Sequence, residues 1–256
     1  MKPSKRTRRS TQGHVDGNRS GSYFEAREKE HKERKRFVAE CIVQNYLREG
    51  DSILLDAGTS LYPIAEIIAA KAKSEPADTH FTIMTHNYKA FQILVEKASR
   101  EANLNIVLAG GRYDKDLNAL FGNQAVTAYE DFFPRVVLLG ISGLVAEIGL
   151  FCHGNTEELA VKRAIFGKRA RDRIIVADHT KIGLLDGFRF GESQGLRASV
   201  NRCVVVTDRP PQTSPIEVRE RFLGQVQLLR DREVEVREVE VREVPRGGDK
   251  SSPGKG

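Results

Sequence analysis

The sequence predicts an α/β protein with a doubly wound, mainly parallel sheet and helices on both faces of that sheet. Short runs that are apolar at nearly every position alternate with longer segments of helical periodicity. Strands that are apolar throughout are buried on both faces, which is typical of parallel sheets. A chain of 256 residues is long enough for one sizeable core flanked by tails.

The elements follow one another from a charged helix onward. That helix is predicted from about Tyr23 to Gly50, because Phe37, Ile42 and Tyr46 give its second half an apolar stripe. The strands are then predicted at 52–56, 81–85, 105–109, 135–140, 173–177 and 202–207. The helices between them are predicted at 61–73, 88–100, 123–131 and 156–169.

The C-terminal part has a different character. Residues 216–229 have a weak amphipathic pattern, and Val-Glu-Val-Arg-Glu then occurs at 234–238 and again at 239–243. The first copy is interpreted as a charged edge strand. We therefore expect a basic arm at 1–24, an α/β domain at 25–230, and an edge strand followed by a low-complexity tail at 231–256.

The positive charge is concentrated at the N-terminus. Residues 1–36 hold 12 Lys and Arg against 5 Asp and Glu, a surplus of seven positive charges in a chain whose net charge is +6. The rest of the chain is therefore close to neutral. Such an arm either increases solubility or binds nucleic acid non-specifically through its phosphates, with Lys5, Arg6, Arg8 and Arg9 as the contacts.

Composition excludes several classes of protein. The three cysteines show no CxxC spacing, which argues against a disulfide framework and a structural zinc site. Neither a metal site nor a cofactor-binding motif is expected. No apolar run approaches the ~18 residues of a membrane span, and the N-terminus lacks a signal-peptide core. These features predict a cytoplasmic protein without membrane contact.

The stretch 52–60 is the most informative local feature. It predicts a buried strand, then the turn Asp56-Ala57-Gly58-Thr59-Ser60, then a helix. Backbone N–H groups and two hydroxyls at a helix N-terminus can bind a phosphate or a carboxylate. Capping of the helix is the alternative interpretation, and the turn alone favours it.

Three further motifs follow predicted strands, where ligands of open α/β sheets bind. Asn155, Glu158 and Lys162 either form a capped helix start with a surface ion pair or line a binding site. Asp178 and Lys181 either form a turn with an exposed ion pair or contact an anion. Gly110 and Gly111 permit close approach of a ligand or a positive φ.

Taken in order, these motifs resemble the C-terminal effector-sensing domain of the DeoR family of bacterial transcriptional repressors. The similarity runs from about Glu25 to Asp208 and includes Leu55-Asp56-Ala57-Gly58-Thr59-Ser60, Gly110-Gly111, Phe121-Gly122, Gly149-Leu150, 155–165 and 177–183. The resemblance implies a Rossmann-like fold shared with ribose-5-phosphate isomerase and CoA transferases, and a phosphorylated sugar or a related anion as ligand. It places the phosphate on Gly58, Thr59 and Ser60, with help from Lys162 or Lys181. It places the polyol end near Asp56, Asn155 and Glu158, with Thr85, Asn87, Gly110, Gly111 and Asp178 as further ligand-binding residues.

Three departures from the family pattern modify these expectations. The first thirty-five or so residues lack the apolar periodicity of a winged helix-turn-helix, so sequence-specific DNA binding is not expected. The loop that usually reads Thr-Asn-Ser is Thr85-His86-Asn87 here, which suggests a different ligand preference. The loop 140–144 has no carboxylate where the related isomerases have acids, which argues against catalysis.

The sequence thus predicts a ligand-sensing regulatory domain rather than an enzyme. The resemblance also implies a homo-oligomer, or a mixed oligomer with a helix-turn-helix family member. One alternative is a sugar-phosphate isomerase with Glu158 or Glu147 as its base. The other is a partner-binding scaffold with a vestigial pocket.

Overall fold

The computed structural model describes residues 31–98 and 100–241. Its helices are α1 (Lys32–Tyr46), α2 (Tyr62–Ser74), α3 (Tyr88–Lys97), α4 (Asn123–Ala128), α5 (Thr156–Phe166) and α6 (Ile216–Asp231). Its strands are β1 (Ser52–Leu55), β2 (His80–Thr85), β3 (Asn103–Leu108), β4 (Arg112–Asp114), β5 (Ala119–Phe121), β6 (Val136–Gly140), β7 (Gly143–Val145), β8 (Gly149–Cys152), β9 (Ala170–Val176), β10 (Phe188–Glu192), β11 (Val200–Asp208) and β12 (Glu235–Val239).

The central sheet has seven strands in the order β12-β11-β9-β6-β1-β2-β3, and every neighbouring pair is parallel. This confirms the predicted fold class. From β1 the chain first builds outward through β2 and β3, and later returns to β1 on its other side with β6. The strand order therefore reverses between β1 and β6, and such a switch point leaves a crevice beyond the carboxyl ends of the two strands.

Alternate residues of the central strands face opposite sides of the sheet, and each side has its own core. Ile53 and Leu55 pack beneath α1, α2 and α3. Leu54 faces the other side, where α4, α5 and α6 lie. Ile53, Leu54 and Leu55 are all apolar because helices cover both of these faces.

Two small antiparallel sheets were not predicted. One is the hairpin of β4 and β5, and the other contains β10, β8 and β7. Strands of three to five residues carry too few side chains to show a clear alternation of apolar and polar positions. Gly111 allows the hairpin to close, because a Cβ at its φ of +134° would lie 2.4 Å from the Phe121 carbonyl oxygen.

Most predicted helices are observed with shorter C-terminal ends. The helices predicted at 88–100, 123–131 and 156–169 end at Lys97, Ala128 and Phe166. The edge strand predicted at 234–238 is observed as β12, paired with β11. The start of the helix predicted from Tyr23, the basic arm with Lys5, Arg6, Arg8 and Arg9, and residues 242–256 of the tail lie outside the described residues.

The described residues also lack what a membrane-spanning helix, a metal site and a disulfide require. Within residues 31–98 and 100–241, no helix combines the length and the apolar character that crossing a membrane requires. The same residues contain no cluster of His, Cys, Asp and Glu arranged to hold a metal ion. Cys41, Cys152 and Cys203 are free thiols.

Candidate functional site

A cleft opens at the switch point between β1 and β6. The loop after β1 (residues 57–60, the β1 loop) forms one wall, and the N-terminal half of α5 contributes Glu158 and Lys162 to the other. The cleft and the solvent at its open mouth together contain about 640 Å³ of empty space. Its lining comprises Ala57, Gly58, Thr59, Ser60, Asp116, Leu117, Phe121, Gly140, Ile141, Ser142, His153, Gly154, Glu158 and Lys162.

A buried ion pair forms the floor of the cleft. The Lys162 ammonium donates to Asp56 Oδ2 at 2.5 Å and to the Gly140 carbonyl at 2.7 Å. The Gly140 N–H donates to the same carboxylate oxygen at 2.9 Å. Asp56 is 0% and Lys162 2% exposed. The resemblance assigned Lys162 or Lys181 to the phosphate and Asp56 to the polyol end, and the structure pairs Lys162 with Asp56.

A neutral histidine lies behind this pair. The Nδ1 atom of His86 is 2.8 Å from the Tyr129 hydroxyl, and its Nε2 is 3.6 Å from Asp56 Oδ1. Burial lowers the pKa of His86 to about 4, and burial also raises the pKa of Tyr129 well above its usual value. Tyr129 therefore keeps its proton and can donate it to Nδ1, which leaves an Nε2–H facing Asp56. Among the described residues, neither Nε2 nor Asp56 Oδ1 has a hydrogen-bond partner.

The β1 loop brings polar groups to the start of α2. Gly58 has a φ of +130°, and its carbonyl accepts the N–H of Leu61 at 3.1 Å. Within the described chain, no side chain caps the first turn of α2. Thr59 and Ser60, to which the resemblance assigns the phosphate, line the cleft there. A helix start of this kind favours negative charge.

The opposite wall carries carboxylates and a histidine. Glu158 Oε2 accepts the Gly154 N–H at 2.7 Å, and Glu158 is 9% exposed. His153 Nδ1 lies 2.8 Å from Asp186 Oδ1. Asn155 caps α5 by accepting the N–H groups of Glu157 and Glu158, each at 3.0 Å. Carboxylates and histidines at the mouth of a cleft are suited to binding the hydroxyl groups of a ligand.

The structure places two predicted ligand-binding residues in hydrogen bonds of the fold. Thr85 Oγ1 donates to the Leu55 carbonyl at 2.6 Å and accepts the Asn87 N–H at 3.0 Å. Asn87 caps α3 by accepting the Ala90 N–H, and its amide donates to the Asp56 carbonyl at 3.3 Å. Both side chains are 0% exposed, so they position Asp56 and the β1 loop from behind.

The remaining predicted residues lie around the cleft rather than in its lining. Gly110 and Gly111 precede β4, where Gly111 serves the hairpin. Asp178 caps the short 3-10 helix His179–Lys181 by accepting the Thr180 N–H at 3.0 Å. Lys181 ends this helix and is not among the residues that line the cleft.

Several lining residues were not predicted as ligand-binding. Asp116 and Leu117 reach the cleft from the β4–β5 hairpin, which the sequence pattern did not reveal. Gly140 ends β6 and Ser142 lies in the loop after it, where the sequence predicted no ligand-binding residue. His153 follows β8, and only the unpredicted small sheet brings it to the mouth.

The chain is similar to proteins of known role. The model of the family described as the DeoR C terminal sensor domain matches residues 30–202. The HTH-type transcriptional repressor GlcR of Bacillus subtilis (strain 168) is 23% identical over 180 residues, which cover 70% of this chain and 62% of GlcR. The transcriptional repressor AccR of Agrobacterium fabrum is 26% identical over 140 residues, or 55% of this chain and 50% of AccR. The chain thus spans between half and two thirds of the length of these two relatives.

Among solved structures, ribose 5-phosphate isomerase A of Methanocaldococcus jannaschii is similar with a TM-score of 0.41 and 12% identity. The match covers 59% of this chain and 54% of the isomerase.

Proposed function

Because this chain belongs to the DeoR C-terminal sensor domain family, we propose that it is a regulatory domain that binds a phosphorylated sugar or a related small anionic metabolite. The ligand occupies the cleft at the switch point. Binding controls transcription in the cytoplasm, where the chain works as a homo-oligomer or together with a helix-turn-helix family member. The relatives GlcR and AccR, which are transcriptional repressors by name, support the regulatory role.

One observation supports the choice of ligand: the same cleft has on one wall a helix start, which favours negative charge, and on the other the polar side chains of Glu158 and His153. In this proposal the phosphate lies on Gly58, Thr59 and Ser60. Glu158 and His153 bind hydroxyl groups of the sugar. Lys162 is held by Asp56, so it adds no net positive charge to the floor and fixes the geometry of the cleft instead.

The proposal includes no catalytic step. A base that moves a proton next to a carbonyl needs a carboxylate able to accept that proton. The Asp56 carboxylate is occupied by Lys162 and Gly140, and Glu147 lies 3.3 Å from the Gln225 amide outside the cleft lining. Glu158 and Asp116 are the carboxylate residues in the cleft lining, and the isomerase alternative uses Glu158 as its base. Turnover of a pentose phosphate by the wild-type chain that is lost in Glu158→Gln would favour that alternative.

A thermal-shift screen tests the proposal. The purified chain is heated with sugar phosphates, the matching free sugars and inorganic phosphate. A ligand present at ~100 times its Kd adds about 2.7 kcal/mol to the free energy of unfolding, which raises Tm by several degrees. We expect a selective shift by one sugar phosphate. Absence of a shift across the panel would contradict the proposal and favour the scaffold alternative.

The site assignment is tested with Ser60→Ala. Removing a hydroxyl that binds a charged oxygen costs about 1.5 kcal/mol, or roughly tenfold in Kd by calorimetry. The control is Ser74→Ala at the far end of α2, whose hydroxyl contacts backbone carbonyls of its own helix. Equal affinity of both variants for the ligand would place the phosphate elsewhere.

A further inference from the structure

The first turn of α1 carries a buried lysine that reaches the cleft loop. The Lys35 ammonium donates to Thr59 Oγ1 at 3.1 Å, and Lys35 is 5% exposed. Lysine is rarely buried to this extent, because its ammonium loses hydration. A role in packing alone would be met by an apolar side chain of similar length.

Lys35 lies between two loops that follow strands of the central sheet. Together with Ser60, Ala177 and Asp178 it lines a small cavity beside the cleft. Lys35, which belongs to α1, therefore brings a positive charge behind the β1 loop. Lys162 approaches the same region from the other face of the sheet, but Asp56 holds it.

The neighbouring residue anchors the same turn to another strand exit. The Arg34 guanidinium donates to Asp208 Oδ2 at 2.8 Å and to the Arg209 carbonyl at 3.1 Å. Burial alone would raise the pKa of Asp208, but hydrogen bonds from His179 and Arg34 outweigh it and lower that pKa. Asp208 is therefore a carboxylate, and the start of α1 is held by charge at the ligand edge of the sheet.

We propose that Lys35 binds the anionic part of the ligand and thereby couples occupancy of the cleft to the docking of α1. The proposal rests on the proposed function, since it requires an anion on the β1 loop. An anion at Thr59 and Ser60 attracts the ammonium and adds a contact that holds the first turn of α1 against the sheet. The coupling is reciprocal, so any event that pulls α1 away lowers ligand affinity by the same factor.

The experiment compares the wild-type chain with Lys35→Met, which keeps the length of the side chain and removes its charge. The matched control is Arg36→Met, since Arg36 is exposed and pairs with Glu40 in the same helix. Calorimetry measures the affinity for the best sugar phosphate of the screen and for inorganic phosphate. We expect at least tenfold weaker binding in Lys35→Met and unchanged binding in Arg36→Met.

Hydrogen exchange of the wild-type chain tests the coupling without any variant. Saturation with the same sugar phosphate is expected to slow exchange in α1 at least fivefold, while α6 serves as the internal reference. Unchanged exchange in α1 would overturn the coupling, and equal affinity of Lys35→Met and wild type would overturn the binding role. If Lys35→Met fails to fold, Lys35→Gln takes its place. Absence of binding by every compound to the wild-type chain would instead overturn the proposed function, and this inference with it.

Discussion

At the scale of single residues, the cleft depends on charges that the fold has buried. Asp56 and Lys162 lie under the cleft, where the Lys162 ammonium pairs with Asp56 Oδ2. His86 stays neutral beside them because the protein interior disfavours its charged form. Each group is held by hydrogen bonds from a different strand or helix, so a change at one alters the electrostatics of the others.

The ion pair is predicted to behave as a unit. Asp56→Asn leaves the ammonium buried, and Lys162→Met leaves the carboxylate buried, so each variant should lose about 3 to 5 kcal/mol of unfolding free energy. The double variant buries neither charge and should be no less stable than either single variant. Urea denaturation measures all three, and additive losses would contradict the pairing.

His86 should make the fold sensitive to mild acid. Burial lowers its folded pKa to about 4 from an unfolded value of 6.5, so protons bind the unfolded state preferentially. The stability that neutral His86 contributes is therefore fully present above about pH 6.5, and it is lost as the pH falls toward 4. Between pH 7 and pH 5 the wild type should lose about 2 kcal/mol through this group.

His86→Asn, which keeps a polar side chain but removes the titrating imidazole, should remove that loss. The measurement is the urea-unfolding free energy at pH 7 and at pH 5. His80→Asn, at an exposed histidine, is the control and should retain the wild-type slope. An unchanged pH dependence in His86→Asn would show that other groups cause the acid sensitivity.

At the scale of elements, the sequence predicted the strands of the central sheet and missed those of the two small antiparallel sheets. The strands β1, β2, β6, β9 and β11 were predictable because a short apolar run between turn residues is typical of a buried strand. The strands of the β4–β5 hairpin and of the sheet of β7, β8 and β10 have only three to five residues, too few to show a clear alternation of apolar and polar positions. Asp116 and His153 could not be assigned to the cleft for that reason, whereas Thr59 and Ser60 follow a predicted strand and Glu158 lies in the first turn of a predicted helix.

The loop before β11 is held by one arginine of β9. The Arg173 guanidinium lies 4.4 Å from the centre of the Phe166 ring and donates to four backbone carbonyls. Its acceptors are the carbonyls of Phe166, Gly195, Leu196 and Ala198. A lysine has fewer donors and no planar fork, so it cannot serve all of them.

Arg173→Lys should therefore lower the unfolding free energy by about 3 kcal/mol, because buried carbonyls lose their donor. Arg202→Lys is the control, since that arginine is 38% exposed where it pairs with Asp172. It should cost less than about 1 kcal/mol. Thermal unfolding measures both, and equal losses would contradict the bracing role of Arg173.

At the scale of the whole molecule, the sheet order explains where the cleft lies. Continuous apolar strands predicted a parallel sheet, and helices between them predicted two covered faces. The strand order was not predictable from the pattern, because apolar strands of similar length carry no signal for their neighbours. The switch point between β1 and β6 follows only from that order, and with it the meeting of Asp56 and Gly140.

The same topology constrains how the protein is made. Ile53 in β1 pairs with Ile83 on one side and with Val136 on the other, a residue synthesised long afterward. Until β6 has left the ribosome, the nascent chain carries β1 with one open edge and exposed apolar side chains. A newly made chain is therefore vulnerable to aggregation over this interval. The strand that supplies Asp56 to the cleft is also the one that waits longest for its second neighbour.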